Sequence, residues 1–269
     1  MLGLAFGSFI NALVWRVFEQ SRTKGKKTGP EISVLSGRSM CPHCRRQLGA
    51  GDLIPLLSWL WLRGRCRYCK KPIGWQYPLV ELLTGAVFAV SYYFWPGGVR
   101  SAADWAELAV WLAVAVGLIA LAVYDARWQL LPNRILYPTA LVAVAGRAAY
   151  IAFVQEGKGE ALLGWGLSVA VAAGLFFVLY ELSRGAWIGF GDVRLGLITG
   201  SVLAGPLESL AMIFVAAVLG LMAAVPGILS GNTRLKSKIP FGPFLIAATF
   251  VMLLFGRDVV ELYKEFLLI

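Results

Sequence analysis

Two aspartates and four cysteines are the residues in this chain best placed to do chemistry. Asp125 lies in Tyr124-Asp125-Ala126-Arg127-Trp128-Gln129-Leu130-Leu131-Pro132-Asn133, and Asp192 lies in Gly189-Phe190-Gly191-Asp192-Val193-Arg194. The 269 residues include a single histidine, His43. No Ser–His triad or multi-histidine metal centre can be built away from it. A general base elsewhere must be Asp, Glu, Lys, Tyr or Cys.

Both aspartates border long apolar runs. Carboxylates at membrane depth are costly and point to function by default. Two carboxylates brought together cannot both ionise easily, so one keeps a proton and the pair titrates as a unit. The ionised member can then take a proton from water while the protonated member polarises a peptide carbonyl. Gly189 and Gly191 are candidate substrate-binding positions. Lacking side chains, they let backbone approach an extended peptide and permit φ values closed to other residues. The competing reading is that an aspartate at a helix start is simply an N-cap.

The cysteines form two C-x2-C pairs, Cys41 with Cys44 and Cys66 with Cys69, separated by 21 residues. Each pair offers two thiolates from one turn, and two turns complete a tetrahedral S4 site suited to structural Zn²⁺. Arg45, Arg46, Arg65, Arg67 and Lys70 crowd these turns. Their charge favours thiolates and offsets the negative charge of a Zn–S4 centre. His43 reads as a solvated residue of the first turn.

The elements that must position these groups are apolar helices. The chain is 58% hydrophobic and only 15% charged. Its apolar residues come in continuous blocks near bilayer-spanning length, so the class is all-α and polytopic rather than β-barrel. Eight segments are predicted, near 1–18, 76–95, 105–124, 134–154, 161–182, 193–205, 208–229 and 241–256. The sixth is short and interrupted by glycine. Met1 already sits inside an apolar run, so the first span reads as clipped. Neither a basic stretch before it nor a small-residue cleavage pattern after it marks a secretory signal.

Lysine and arginine set the orientation. The loop 19–75 carries twelve of them, and the loops at 125–134, 183–194 and 230–240 bring the total on that side to 19. The alternate loops and the C-terminal tail hold only Arg100, Lys158, Arg257 and Lys264. Basic loops stay in the cytoplasm, so both termini face outward. This distribution also accounts for the net charge of +10 without nucleic acid. Asp125 ends span three and Asp192 opens span six, which puts both at the cytoplasmic face. Trp75, Trp95, Trp105, Trp128 and Trp187 read as interfacial aromatics. Ser21 to Gly29 reads as a basic, mobile stretch. Glu81 and Glu181 read as ordinary carboxylates near span ends. Arg147, mid-span, requires the bundle interior or a carboxylate partner that the sequence does not identify. The domain reading is a first span at 1–18, a cytoplasmic zinc-binding loop at 19–75 and a membrane domain at 76–269.

In order along the chain, several motifs resemble those of the prepilin peptidases, the type IV leader peptidases of the GxGD aspartic protease type. They are Gly7-Ser8-Phe9-Ile10-Asn11, Ile54-Pro55-Leu56-Leu57-Ser58-Trp59-Leu60, Leu62-Arg63-Gly64-Arg65-Cys66-Arg67 and Tyr77-Pro78-Leu79-Val80-Glu81-Leu82. Asp125 with Leu131-Pro132-Asn133, Gly189-Phe190-Gly191-Asp192, and Pro240-Phe241-Gly242-Pro243-Phe244 continue the series. The resemblance implies an inner-membrane hydrolase with Asp125 and Asp192 catalytic. It would cleave the basic leader from type IV prepilins and type II secretion pseudopilins. It also implies N-methylation of the new N-terminus from S-adenosylmethionine, an activity the family assigns largely to the cytoplasmic loop. Where the family has Asp-Asn-Ile-Pro, this chain has Asp52-Leu53-Ile54-Pro55.

Three other functions make different demands. A cation transporter would put the aspartates near the bilayer midplane. A thiol oxidoreductase would carry its cysteine pairs on the oxidising side, without metal. An inert assembly component would tolerate loss of either aspartate.

Overall fold

The computed structural model describes residues 1–23, 33, 37–229 and 240–266. The sequence expectations for Lys24, Lys26, Lys27, Glu31, Arg234, Lys236 and Lys238, and most of the basic stretch after Ser21, lie outside the described residues. All eight predicted apolar segments are helices. They are α1 (Leu2–Arg22), α3 (Gln76–Tyr93), α4 (Ala102–Trp128), α5 (Asn133–Phe153), α6 (Lys158–Ser183), α7 (Phe190–Leu203), α8 (Pro206–Leu229) and α9 (Gly242–Phe266). A short α2 (Leu57–Trp61) is added within the cysteine loop. No strand occurs among the described residues, only isolated bridges pairing Met40 with Gln47 and Arg65 with Pro72. Five helices, α1, α4, α5, α6 and α8, are long and apolar enough to cross a membrane, and Gly242–Gly256 of α9 is a shorter apolar stretch. The chain is thus an all-α, multi-pass membrane protein. The 14 residues of α7 reach only ~21 Å at the helical rise per residue, short of a hydrocarbon core.

The chain divides into two compact units, Met1–Tyr93 and Phe94–Ile269. In the first, α1 packs along α3. The Asn11 side-chain amide donates to the Tyr77 carbonyl at 3.0 Å and accepts from Gln76 at 3.3 Å. Ile10, Val14, Val17 and Val80 form the apolar part of that contact.

In the second unit, α4 begins with a capping box. The Asp104 amide donates to the Ser101 hydroxyl, and the Asp104 carboxylate accepts from the Ser101 amide at 2.7 Å. The helix stops at Gln129, which adopts a left-handed conformation. Pro132 then precedes α5, whose backbone it cannot join as a donor. Leu118, Leu121, Leu136, Leu195, Ile198, Met212, Leu245 and Met252 are fully buried. Lipid is as apolar as these side chains, so close backbone approach and hydrogen bonds must do much of the assembly. The strongest example is α7 against α6. Gly196 and Gly200, four apart, let the helices meet so closely that a Cβ on Gly196 would lie 2.6 Å from the Ala172 carbonyl oxygen. Ser168 completes the contact, its hydroxyl donating to the Gly200 carbonyl at 2.7 Å and sharing a 2.8 Å hydrogen bond with Ser209 of α8.

Candidate active site

Asp125 lies in the last turn of α4. Its carbonyl accepts the 2.8 Å bond from Gln129 that closes the helix. The residue is buried, and its carboxylate accepts from the Gly242 amide at the start of α9. A Cβ on Gly242 would fall 2.6 Å from Asp125 Oδ2, so only glycine lets this amide approach. Sequence reasoning missed that role. The signal available to it was a glycine flanked by Phe241 and Pro243 at a helix start.

Asp192 occupies the third position of α7, after Gly189 as N-cap. Its carboxylate accepts from the Gly189 amide, and its own amide donates to the Gly189 carbonyl at 3.0 Å. The capping role is therefore real. It does not exhaust the residue, because the Asp192 carboxyl also lies within electrostatic reach of Asp125. The two predicted aspartates come together from the end of one helix and the start of another. Both are at helix termini, Asp125 in the last turn of α4 and Asp192 in the first turn of α7.

Gly189 and Gly191 flank this pair, but neither uses a backbone conformation reserved for glycine. Gly189 has φ −77°, and Gly191 is not among the glycines of positive φ. The expectation of unusual φ values is corrected, because the capped start of α7 fixes ordinary angles. Gly191 instead packs against Leu131, whose Cδ1 would be 3.0 Å from an added Cβ. Arg194 reinforces that seam. Its guanidinium donates to the Asn133 side-chain oxygen at 2.5 Å and lies 4.8 Å from the Phe190 ring centroid.

The second constellation is in the first unit. The four cysteine sulfurs lie within 4.8 Å of one another, and Cys41 Sγ is 3.9 Å from Cys69 Sγ. Tetrahedral Zn–S bonds of 2.3 Å would set the sulfurs ~3.8 Å apart, so the donor set fits such an ion. All four thiols are free. The two knuckles repeat one geometry. The Cys41 amide donates to the Arg46 carbonyl and the Cys66 amide to the Lys71 carbonyl, at 3.0 and 2.9 Å. Arg45 and Lys70, each following a second cysteine, take positive φ of 56° and 60°. Burial pushes the Cys41 thiol up to about 12. For Cys66, burial works against hydrogen bonds from the Cys69 and Tyr68 amides and from the Cys41 and Cys69 thiols, which together prevail and lower it to about 7. His43 is exposed, as expected.

One sequence expectation changes, and another gains its missing partner. Glu81 is buried at 7% exposure instead of solvated, because its carboxylate accepts from the Leu56 amide at 2.7 Å and from Ser8. Among the tryptophans near span ends, Trp95 is buried, while Trp75, Trp105 and Trp187 are exposed. Arg147 has an identified partner, Glu107 of α4, at 4.0 Å. Asp52, where the family has a similar Asp, holds Arg67 of the second knuckle at 2.6 Å.

Comparison with known proteins decides the family. Residues 1–95 match the bacterial peptidase A24 N-terminal domain, and residues 112–225 match the type IV leader peptidase family. A prepilin leader peptidase/N-methyltransferase of Aeromonas hydrophila is 31% identical, over 98% of this chain and 91% of its own length. The chain belongs to the type IV leader peptidase family. Relatives with the same description include one from Stutzerimonas stutzeri, 32% identical over 99% of this chain and 92% of its own. Another, from Bacillus subtilis, is 29% identical over 98% and 95%. No solved structure matches the chain. Within the family frame, the first matched region contains α1, the cysteine knuckles and α3. The second contains Asp125 and Asp192.

Proposed function

We propose that this leader peptidase cleaves the basic leader from type IV prepilins and type II secretion pseudopilins, using Asp125 and Asp192 as its catalytic pair. The observation that carries the reading is their convergence, two carboxylates from separate helix ends with the Gly242 amide donating to one of them. In that role one carboxylate takes the proton of a water molecule while the other, protonated, polarises the scissile carbonyl. Gly189 and Gly191 border the place where an extended substrate backbone would run. The aspartates face the cytoplasm in this reading, with the termini outward, because the basic loops lie on their side. The substrate's apolar helix would supply most of the binding energy. Asp52 is taken by Arg67, and Glu19 lies 3.7 Å from Arg22, which leaves those carboxylates little attraction for a basic leader.

We further propose that the loop 19–75 carries the methyl-transfer activity, with 76–269 as the peptidase domain. Cys41, Cys44, Cys66 and Cys69 would hold one Zn²⁺, whose contribution is to fix the loop's fold. S-adenosylmethionine would be the methyl donor. Its sulfonium is a cation of the kind that aromatic faces attract. The Trp59 and Trp75 rings meet at a 50° tilt with centroids 4.4 Å apart in this region, and Trp61 is exposed.

The test of the dyad is incubation of purified protein with a prepilin, followed by mass spectrometry of the mature N-terminus. Asp125→Asn and Asp192→Asn should each lower cleavage by at least the ~10²–10⁴-fold that acid–base catalysis supplies. Wild-type rates from either variant would return that aspartate to a capping role. Orientation has its own check, since Cys introduced at Lys158 should react with an impermeant reagent from outside and Cys at Lys70 only from the cytoplasm. Reversal of the two patterns would refute the assigned sidedness.

A further inference from the structure

At the other end of α4 from Asp125 lies a cavity of about 270 Å³ that the peptidase reading does not use. Glu107 and Arg147 face it, among apolar walls that include Trp95, Val110, Trp111 and Leu253. Glu107 precedes Asp125 by 18 residues on one helix, which separates them by ~27 Å. That distance approaches the hydrocarbon thickness of a bilayer, so with Asp125 at the cytoplasmic face, as the proposed function has it, the cavity falls at the headgroup level of the opposite leaflet.

The charges inside it are loosely joined. Arg147 Nη1 is 4.0 Å from Glu107, and Nη2 is 3.5 Å from the Gln155 side-chain oxygen. Its buried Nε has no hydrogen-bond partner. A guanidinium has five N–H donors, and leaving one unmet away from water is costly. Asp104 cannot make up the deficit, because its carboxylate is occupied by the Arg100 and Ser101 amides at the start of α4.

We propose that this cavity binds the headgroup of an aminophospholipid, with the phosphate on Arg147 and the primary ammonium on Glu107. A simple anion would satisfy Arg147 but meet the Glu107 carboxylate 4.0 Å away, and a simple cation would meet the converse. A zwitterion whose opposite charges are a few bonds apart complements both. Phosphate oxygens suit the forked guanidinium donors, and a primary ammonium has three N–H groups to give a carboxylate. A quaternary ammonium has none. Lipid has access, because Phe153 at the cavity wall is 88% exposed and Ala106 is also exposed.

The test is native mass spectrometry of the full chain, purified and offered equal amounts of dioleoyl phosphatidylethanolamine, phosphatidylcholine and phosphatidylglycerol. Wild type should retain the ethanolamine lipid about tenfold over either competitor, the scale of one charge-assisted hydrogen bond. Glu107→Gln keeps the shape and removes the ammonium's partner, so its preference over phosphatidylglycerol should vanish or reverse. Ala106→Trp fills the cavity from its exposed side without touching either charge, and should retain none of the three above background. Equal retention of ethanolamine and choline lipids by wild type would overturn the proposal. So would a preference for phosphatidylglycerol, or an ethanolamine preference unchanged in both variants. Circular dichroism on each variant separates a lost site from a lost fold.

Discussion

Gly242 occupies a position where a single methyl group is too much. A Cβ there would sit 2.6 Å from Asp125 Oδ2, so either α9 or the carboxylate must move. Catalytic groups tolerate displacement of only about 0.5 Å, and a misplacement near 1 Å costs on the order of 10²-fold in rate. Gly242→Ala should therefore lower prepilin cleavage by about that factor while the protein remains helical and folded. A rate within twofold of wild type would show that the α9 amide does not hold Asp125. The two aspartates themselves were legible in the sequence, because carboxylates bordering apolar runs are rare and these two carry recognisable neighbours. Gly242, Glu81 and Glu107 were not. Each gains its meaning from a contact with a distant segment, and no periodicity within its own helix reports such a contact. Arg147 was half legible, since its cost in an apolar span demanded a partner, but the choice of Glu107 depends on how α4 crosses α5.

At the scale of elements, α7 is the piece on which the proposed site depends most. Its 14 residues are too few to cross a bilayer alone, yet its first turn carries Asp192. It is held by backbone contact with α6, where Gly196 and Gly200 leave no room for side chains. Gly196→Leu would push a side chain into the Ala172 carbonyl, a backbone atom that cannot swing aside. The expected cost is at least the ~1–3 kcal/mol of an overpacked core, with cleavage lost because Asp192 moves with its helix. Gly191→Ala makes the informative contrast. Its new methyl would meet Leu131 Cδ1 at 3.0 Å, the movable end of a side chain, so a fall in melting temperature no larger than a third of that of Gly196→Leu is expected. Equal losses from the two would mean that the α6–α7 seam is not what supports the site. The eight apolar helices could be read from the sequence because continuous apolar runs of this length have few alternatives. The short α2 could not, since Leu57–Trp61 is only five residues long and is tied to distant residues, the Leu56 amide donating to Glu81 and the Trp59 indole to the Ile73 carbonyl. The sixth segment's glycines were noticed as interruptions. Their spacing of four is in fact an adhesive face, a meaning that appears only once the partner helix is known.

For the whole molecule, the question is whether two chemistries share one chain without sharing one site. The first compact unit, Met1–Tyr93, contains the four-cysteine cluster, the buried Glu81 and the Asn11–Tyr77 tie between α1 and α3. The second, Phe94–Ile269, contains both aspartates, the α9 amide that meets Asp125 and the α6–α7 seam. Each unit therefore has its own polar constellation and its own packing to support it. If methyl transfer belongs to the loop 19–75 of the first and peptide cleavage to the aspartates of the second, damage to one should spare the other. Asp125→Asn or Asp192→Asn should leave N-methylation of an already cleaved pilin within about threefold of wild type, since the lost groups act on water and a peptide carbonyl, not on an amine. Conversely, Cys41→Ser removes one of four thiolates from a closed tetrahedral site, and losing a direct ligand lowers metal affinity severely, with the ion's binding energy being also folding energy for its loop. That variant should lose its bound metal and its methylation together and keep cleavage within the same threefold. Both activities can be followed in a single mass spectrum, from the mass of the mature N-terminus with precursor and with precleaved pilin as substrate. Loss of methylation in both Asp→Asn variants, with metal content unchanged, would mean one shared site and would refute the division. Loss of cleavage in Cys41→Ser would assign the metal loop a part in proteolysis as well.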